Sequence, residues 1–208
     1  MSLQIDYYFS LISPFSYMGH KPFTDLARGF DATINYKPVR IGKLFDATGG
    51  LPPAKRHPAR QAYRMDELKR WSTRLGAPLN LQPKHFPTND AVANMAVVEV
   101  AKTDQDAAAA LALAFHQAVW VNDLDISDEA TVSKIIDGLG LDAGLVAAAK
   151  AAEAQLDANT EEAVSRNVFG APTYIVGDEM FWGQDRIDFL KDALARASSN
   201  ALAMQLSN

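Results

Sequence analysis

Residues 10–20 of the chain, SLISPFSYMGH, form the junction that decides the fold. The run before it, residues 3–9, is short and rich in aromatic and branched side chains, which predicts a β-strand. Pro14 then suits the first turn of an α-helix, with Ser13 as its N-cap. An apolar stripe at helical spacing continues this helix as far as Gly29; it consists of Tyr17, His20, Phe23 and Leu26.

Similar patterns organise the rest of the chain around one helical block. Residues 32–39 predict a second strand, which completes a right-handed β-α-β unit. Near the other end, Gly177-Asp178 favours a hairpin between residues 173–176 and 179–182, and a last helix opens at residues 183–186. Between these parts strand patterns are weak, and helices are predicted over residues 60–75, 89–102, 107–121, 127–139 and 143–166. The second, third and fifth of these are rich in alanine, and the fifth is long enough for two helices. The prediction is an α/β fold in which both ends of the chain form one sheet and an all-helical block is inserted between them.

The composition excludes several functions. The chain has 208 residues, of which 48% are hydrophobic, and a net charge of −5, which argues against a surface that follows nucleic-acid phosphates. It contains no cysteine, so disulfides, thiolate zinc sites and cysteine nucleophiles are excluded. Ser13 and Ser16 keep the spacing of the Cys-x-x-Cys pair that many redox proteins place at such a junction, but they cannot perform its chemistry.

The N-terminal residues, MSLQIDYYFS, lack the basic and apolar regions of a secretory leader. No apolar stretch approaches the ~20 residues needed to cross a bilayer. We therefore expect a cytoplasmic protein without a membrane partner. The histidines show no metal-ligand spacing, and no bound metal is expected.

Three stretches carry a resemblance to a known family: DYYFSLISPFSY at residues 6–17, VFGAPT at residues 168–173 and FWGQDR at residues 181–186. In this order they resemble the 2-hydroxychromene-2-carboxylate isomerases and their relatives, the kappa-class glutathione transferases. The resemblance implies a thioredoxin-like domain made of residues 1–45 and 167–208, with residues 46–166 as a helical insertion domain. Ser10 departs from the pattern, because an acidic residue is expected there in many relatives.

Ser13 admits two interpretations. It lacks the Gly-x-Ser-x-Gly elbow of a serine hydrolase, and physics alone favours a helix cap. The resemblance implies instead that Ser13 is the catalytic residue and holds the thiolate of glutathione, helped by the helix dipole. Lowering a thiol pKa by two units requires about 2.7 kcal/mol, which a hydroxyl and a helix N-terminus together could provide.

The other two stretches imply the remaining cofactor contacts. An X-Pro bond is usually trans, but the proline matching Pro172 is cis in thioredoxin folds, where it faces the first helix and leaves the backbone of Ala171 to pair with glutathione. The turn that follows the hairpin offers backbone amides that could bind a carboxylate of glutathione. It also offers Asp185 as a partner for the γ-glutamyl ammonium, although this residue could equally stabilise its own helix. The residues of this turn are Trp182, Gly183, Gln184 and Asp185.

The molecule that reacts with glutathione should bind in a cleft between the sheet and the helical block. Basic residues in the connecting loops could bind a carboxylate-bearing aromatic substrate, although most such charges are simply solvated. From a set that also contains Arg40, Arg56 and His57, we select Lys43, Lys55 and His85.

Three functions remain open at this stage. The favoured one is an isomerase that recycles glutathione and converts 2-hydroxychromene-2-carboxylate, or a related aromatic acid, to trans-o-hydroxybenzylidenepyruvate. The second is a kappa-like glutathione transferase or peroxidase, which consumes glutathione. The third is a non-catalytic binding module of thioredoxin fold. A homodimer is expected because relatives often form one.

Overall fold

The structure, a computed structural model, describes residues 3–206, with side chains described as far as residue 200. Strand β1 spans Gln4–Phe9, helix α1 spans Pro14–Gly29 and strand β2 spans Thr33–Pro38. The N-terminal β-α-β unit is therefore confirmed, with each boundary within one residue of its prediction. Pro14 occupies the first helical position, where its missing N–H costs nothing.

The middle of the chain is helical, as predicted, with one helix that the sequence patterns missed. Helix α2, Ile41–Thr48, crosses the expected domain boundary at residues 45 and 46. None of the helices within residues 3–206 combines the length and apolar character needed to cross a membrane. The other elements are a 3-10 turn at Pro53–Lys55, α3 at Pro58–Leu75, α4 at Ala91–Ala101, α5 at Gln105–Trp120, α6 at Glu129–Gly138, α7 at Leu145–Ala151, α8 at Glu153–Ser165, β3 at Thr173–Val176, β4 at Glu179–Trp182, a 3-10 turn at Gln184–Arg186 and α9 at Ile187–Leu206.

Both ends of the chain build one sheet, in the order β2-β1-β3-β4. Strand β1 lies parallel to β2 and antiparallel to β3, while β3 and β4 form the predicted hairpin. Tyr7 of β1 pairs with Tyr36 on one side and with Tyr174 on the other. The chain therefore has the α/β thioredoxin-like architecture expected from its sequence, with helices inserted between β2 and β3.

An aromatic layer joins this sheet to α1. The Tyr7 ring stacks on Phe9 and Tyr174, with centroids 4.8 and 5.4 Å apart, and lies 4.6 Å from the ring of Phe23 in α1. All four side chains are fully buried, so the layer excludes water from the sheet face behind the helix. The opposite face of the sheet packs Tyr8 and other residues against α2 and α8.

The inserted helices share a core with the sheet. The aromatic layer belongs to one apolar cluster that continues into the helical block through Met95, Leu111 and Phe115. Hydrogen bonds cross the same boundary: Tyr17 Oη donates to the carbonyl of Pro78 at 2.9 Å. The helical block is therefore a packing partner of α1.

At Gly19, α1 packs closely against the turn before α9. A Cβ atom there would lie 2.9 Å from Tyr174 Oη and 2.9 Å from Gln184 Cβ, both on buried residues. We expect Gly19→Ala to lower the free energy of unfolding by about 1–2 kcal/mol, because overpacking outweighs the gain in helix propensity. Gly42 of α2 faces open space, so Gly42→Ala should be neutral or stabilising by up to about 1 kcal/mol. Urea denaturation of both variants tests this; an unchanged midpoint for Gly19→Ala would contradict the close packing.

Candidate functional site

The hydroxyl of Ser13 joins the two ends of the chain. Its Oγ accepts a hydrogen bond from the N–H of Ser16 at 3.2 Å, which makes it the predicted N-cap of α1. The same oxygen donates to the carbonyl of Ala171 at 3.1 Å, across 158 positions of sequence. Ser13 is half-buried, so one polar group caps the helix, bridges to the second motif and still faces solvent.

The Ala171-Pro172 peptide bond is cis, as the family resemblance implied. The carbonyl of Pro172 accepts from the N–H of Gly183 at 2.9 Å, which ties this loop to the turn after β4. The N–H of Ala171 donates to no other residue in the described part of the chain. One expectation needs correction: the carbonyl of Ala171 is not free, because it accepts the Ser13 hydroxyl.

The first turn of α1 leaves one further backbone donor. Pro14 has no N–H, and the amides of Ser16 and Tyr17 bond to the side chain and the carbonyl of Ser13. The N–H of Phe15 has no acceptor among residues 3–206. The Ser13 hydroxyl and this amide therefore stand together at the positive end of the helix dipole, an arrangement that favours an anion.

The turn after β4 is only partly available to a ligand. Trp182 is exposed and packs edge-on against Phe169, with ring centroids 4.8 Å apart. Gly183 adopts φ 111°, a conformation that favours glycine. Gln184 is buried against Gly19, so a ligand contact from this residue would have to come from its backbone. Asp185 pairs with its neighbour Arg186 at 2.9 Å.

Residues of the inserted block make hydrogen bonds to the loop before Ser13. The carbonyl of Leu11 accepts from Trp120 Nε1 at 3.1 Å and contacts His116 Nδ1 at 3.2 Å. The hydroxyl of Ser10 donates to Asp90 Oδ2 at 3.1 Å. Ser10 thus contacts a carboxylate that comes from Asp90, the residue just before α4. Burial raises the pKa of this carboxyl, while the hydrogen bond from Ser10 acts in the opposite direction.

A large cavity opens beside Ser13 and Ala171, with a volume of about 760 Å³. Ser13, Phe15 and Ala171 line one end of it, at the junction described above. Elsewhere its walls are mostly apolar, with aromatic side chains from several parts of the chain: Phe45, Phe86, Phe169 and Trp182. A cavity of this size and composition suits a flat aromatic molecule.

Arginines form the basic part of the cavity wall. Arg56, Arg60 and Arg64 line it together with His57. The residues that we select from sequence include neither Arg56 nor His57, and the sequence analysis does not identify Arg60 or Arg64 as candidates. The three arginines recur every four residues, and this spacing could have indicated a shared face around the start of α3.

The basic residues selected from sequence lie outside this cavity lining. Lys43 is exposed and pairs with Asp157 of α8 at 2.7 Å, so its charge is already balanced. Lys55 is an exposed residue of the 3-10 turn. His85 Nδ1 lies 3.7 Å from Asp125 Oδ2. The structure therefore brings together Ser13, Ala171, Pro172 and Trp182, but it does not bring these three residues to them.

Comparisons with known proteins agree with this fold and show the family. A family model described as the DSBA-like thioredoxin domain matches residues 4–195. A 2-hydroxychromene-2-carboxylate isomerase from Sphingobium xenophagum is 32% identical over 198 residues, covering 93% of this chain and 99% of that protein. One from Pseudomonas putida is 31% identical, covering 92% and 94%. Glutathione S-transferase kappa 1 from Caenorhabditis elegans is 27% identical, covering 92% and 90%.

Solved structures show the same relationship. A structure of 2-hydroxychromene-2-carboxylate isomerase superposes with a TM-score of 0.79 at 28% identity, covering 97% of this chain and 99% of that one. The cytosolic disulfide reductase DsbM from Pseudomonas aeruginosa with GSH superposes with a TM-score of 0.67, covering 97% and 100%. At 16% identity this second likeness concerns the fold alone.

His20 makes the stability of this site dependent on pH. It is buried beneath the loop with Nε2 bonded to Ala109 O at 2.9 Å, and burial lowers its pKa from 6.5 to about 4. As the pH falls below 6.5, the His20 imidazole binds a proton in the unfolded chain but stays neutral in the folded chain. The free energy of unfolding therefore decreases towards pH 4. We expect the His20 contribution to amount to about 3 kcal/mol over that window.

The variant His20→Gln tests this contribution, because a glutamine amide can keep the bond to Ala109 without titrating. Unfolding free energies measured at several values between pH 4 and 6.5 should depend less steeply on pH than in the unmodified protein. An equally steep dependence would contradict the assignment to His20.

Proposed function

The chain belongs to the DSBA-like thioredoxin domain family and, within it, to the 2-hydroxychromene-2-carboxylate isomerases, and from this premise we propose that it is a glutathione-dependent isomerase of aromatic acids. Its substrate is 2-hydroxychromene-2-carboxylate or a close relative, and the product is the trans-o-hydroxybenzylidenepyruvate. The observation that carries the proposal is the contact between Ser13 Oγ and Ala171 O at the end of an aromatic cavity.

Glutathione fits the donors that this junction leaves unused. An extended peptide backbone pairs with an N–H and a C=O of one residue, and Ala171 offers both once the Ser13 hydroxyl turns away. A thiolate fits beside the Ser13 hydroxyl and the N–H of Phe15, at the helix N-terminus. Trp182 and the backbone of Gly183 and Gln184 border the same loop. Asp185 would supply a carboxylate for an ammonium group by exchanging its pair with Arg186 for one with the ligand.

When bound, glutathione supplies a thiol nucleophile that adds to the substrate and leaves it again. Ser13 holds this thiol in its ionised form by donating a hydrogen bond, which requires its proton to turn away from the carbonyl of Ala171. The helix dipole adds about 0.3–1 kcal/mol at an exposed site and up to ~2 kcal/mol in a partly buried one. The role of Ser13 as N-cap keeps the hydroxyl oxygen in place during this change.

The chain also orients the electrophile and protects it from water. The aromatic walls of the cavity hold a planar ring, and its arginines face the carboxylate of an aromatic acid. Holding both reactants in one geometry removes much of the entropic cost of the addition. The proposed carboxylate contact accordingly moves from Lys43, Lys55 and His85 to the arginine wall. The homodimer and the cytoplasmic location stay predictions.

Ser13→Ala should reduce turnover by about 10²–10³-fold, because a hydrogen bond to the developing anion is lost. Ser13→Thr keeps a hydroxyl and an N-cap, and should retain most of the activity. Ser16→Ala is the matched control, since Ser16 Oγ is buried without a partner among the described residues. The ultraviolet absorbance of bound glutathione, followed against pH, should show a higher thiol pKa in Ser13→Ala than in Ser13→Thr.

Loss of the N-cap in Ser13→Ala should also cost about 1 kcal/mol of stability, so folding is checked by thermal denaturation. A Ser13→Ala enzyme that is folded and fully active would overturn the assignment of the nucleophile site.

A kappa-like glutathione transferase is the second candidate, favoured by the 27% identity to the nematode enzyme. Counting free thiols separates the two, because an isomerase releases each glutathione and a transferase consumes it. With glutathione far below the chromene concentration, we expect many turnovers and a constant thiol content. A loss of one thiol for each product would establish the transferase instead.

A further inference from the structure

We propose that Arg64 is a specificity-determining residue which binds the carboxylate of the electrophile inside the cavity. The reaction itself rests on the proposed function, but the binding of an aromatic carboxylate by Arg64 is a separate claim. Neither the three sequence motifs nor the site around Ser13 provides a residue that binds this carboxylate, and the proposal assigns that role to one side chain of α3.

Arg64 differs from the other half-buried arginines in having no protein partner. Arg40 pairs with Glu153 at 2.7 Å and with Asp157 at 2.8 Å. Arg166 pairs with Asp6 and contacts Glu162 at 3.8 Å. Arg56 donates from Nε to the carbonyl of Leu51 at 2.7 Å. Within the described part of the chain, Arg64 makes neither a hydrogen bond nor an ion pair.

The surroundings of Arg64 penalise this unpaired charge. Burial lowers the pKa of Arg64, and the neighbouring guanidinium of Arg56 lowers it further. Arg60 lines the same wall and acts on Arg56 in the same way. A partly desolvated cation beside a like charge is costly unless an anion joins it. The chain as a whole carries a charge of −5, so this concentration of positive charge is local to the cavity.

The shape of the cavity indicates which anion it takes. Arg64 shares the lining with Phe45 and Phe86, and a planar guanidinium can bind both oxygens of a carboxylate. Arg60 is exposed at the surface, whereas Arg64 is half-buried in the wall, where a molecule lodged among the aromatic rings would meet it. A carboxylate could come from an aromatic acid or from the glycyl end of glutathione. The setting of Arg64 favours the aromatic acid.

Calorimetry without turnover tests the assignment. The ligands are 2-naphthoate, which carries an aromatic carboxylate, and its neutral amide 2-naphthamide, each titrated in the absence of glutathione. The unmodified protein should bind the carboxylate about 10–100-fold more tightly than the amide. Arg64→Met should abolish this preference, and Arg64→Lys should keep part of it because the charge remains while the bidentate geometry is lost.

Arg74→Met is the matched control on the same helix: Arg74 is exposed and lies outside the cavity lining. It should leave the preference for 2-naphthoate unchanged. Thermal denaturation of Arg64→Met should show equal or greater stability than the unmodified protein, because an uncompensated charge is removed; a purely structural arginine would give a less stable variant. Should Arg64→Met fail to fold, Arg64→Gln replaces it in the same titrations.

Two further results would overturn the proposal. One is equal affinity of the unmodified protein for 2-naphthoate and 2-naphthamide, and the other is an unchanged preference in Arg64→Met. Titration with glutathione separates the two sources of the carboxylate. The unmodified protein and Arg64→Met should bind glutathione with the same affinity, within about twofold. A large loss of glutathione affinity in Arg64→Met would assign the anion to the tripeptide and contradict the proposal. An Arg64-dependent preference in a protein that does not isomerise the chromene would refute the proposed function while supporting this subsite.

Discussion

A single hydroxyl links the two ends of the chain at the candidate site, and the arrangement of that site depends on it. Ser13 Oγ accepts the N–H of Ser16 and donates to the carbonyl of Ala171, and so it fixes the start of α1 against the cis-proline loop. The sheet brings these two segments close, since β1 and β3 are hydrogen-bonded neighbours from opposite ends of the chain. A serine can meet both demands because its hydroxyl donates and accepts at once. A thiol, with its weak hydrogen bonds, would serve poorly in this double role.

The inserted helices position this junction. Leu11, two residues before Ser13, offers its carbonyl to Trp120 Nε1 of α5, while Ser10 donates to Asp90 at the start of α4. The apolar cluster runs without interruption from the sheet into these helices. Because the loop before α1 is bonded to the block, a change in the packing of α4 or α5 would move Ser13. The block therefore supports the site and also supplies part of its cavity wall.

Positive charge is distributed unevenly around the cavity. Whether a basic side chain is paired with a carboxylate decides whether it is available to a ligand. Lys43 resembles a ligand-binding residue in sequence, but Asp157 neutralises it at 2.7 Å. Arg40 is likewise held by the acids of α8. Among the residues that the structure describes, no carboxylate pairs with the arginines at the start of α3, so their charge remains available to a ligand. In a chain with a net charge of −5, the three arginines concentrate positive charge in the wall of an aromatic cavity.

The sequence by itself determined the order of the elements, the N-cap at Ser13 and the proximity of the two terminal motifs. These follow from local rules: helical spacing, the fixed φ of Pro14, and the Gly177-Asp178 hairpin all act over a few residues. Only the tertiary structure decided that Asp90 supplies a carboxylate to Ser10 and that Arg64, rather than Lys43, Lys55 or His85, lines the cavity. Such contacts depend on the angles at which helices pack across the sheet, and every lysine or arginine has the same local pattern whether or not an acid lies opposite it.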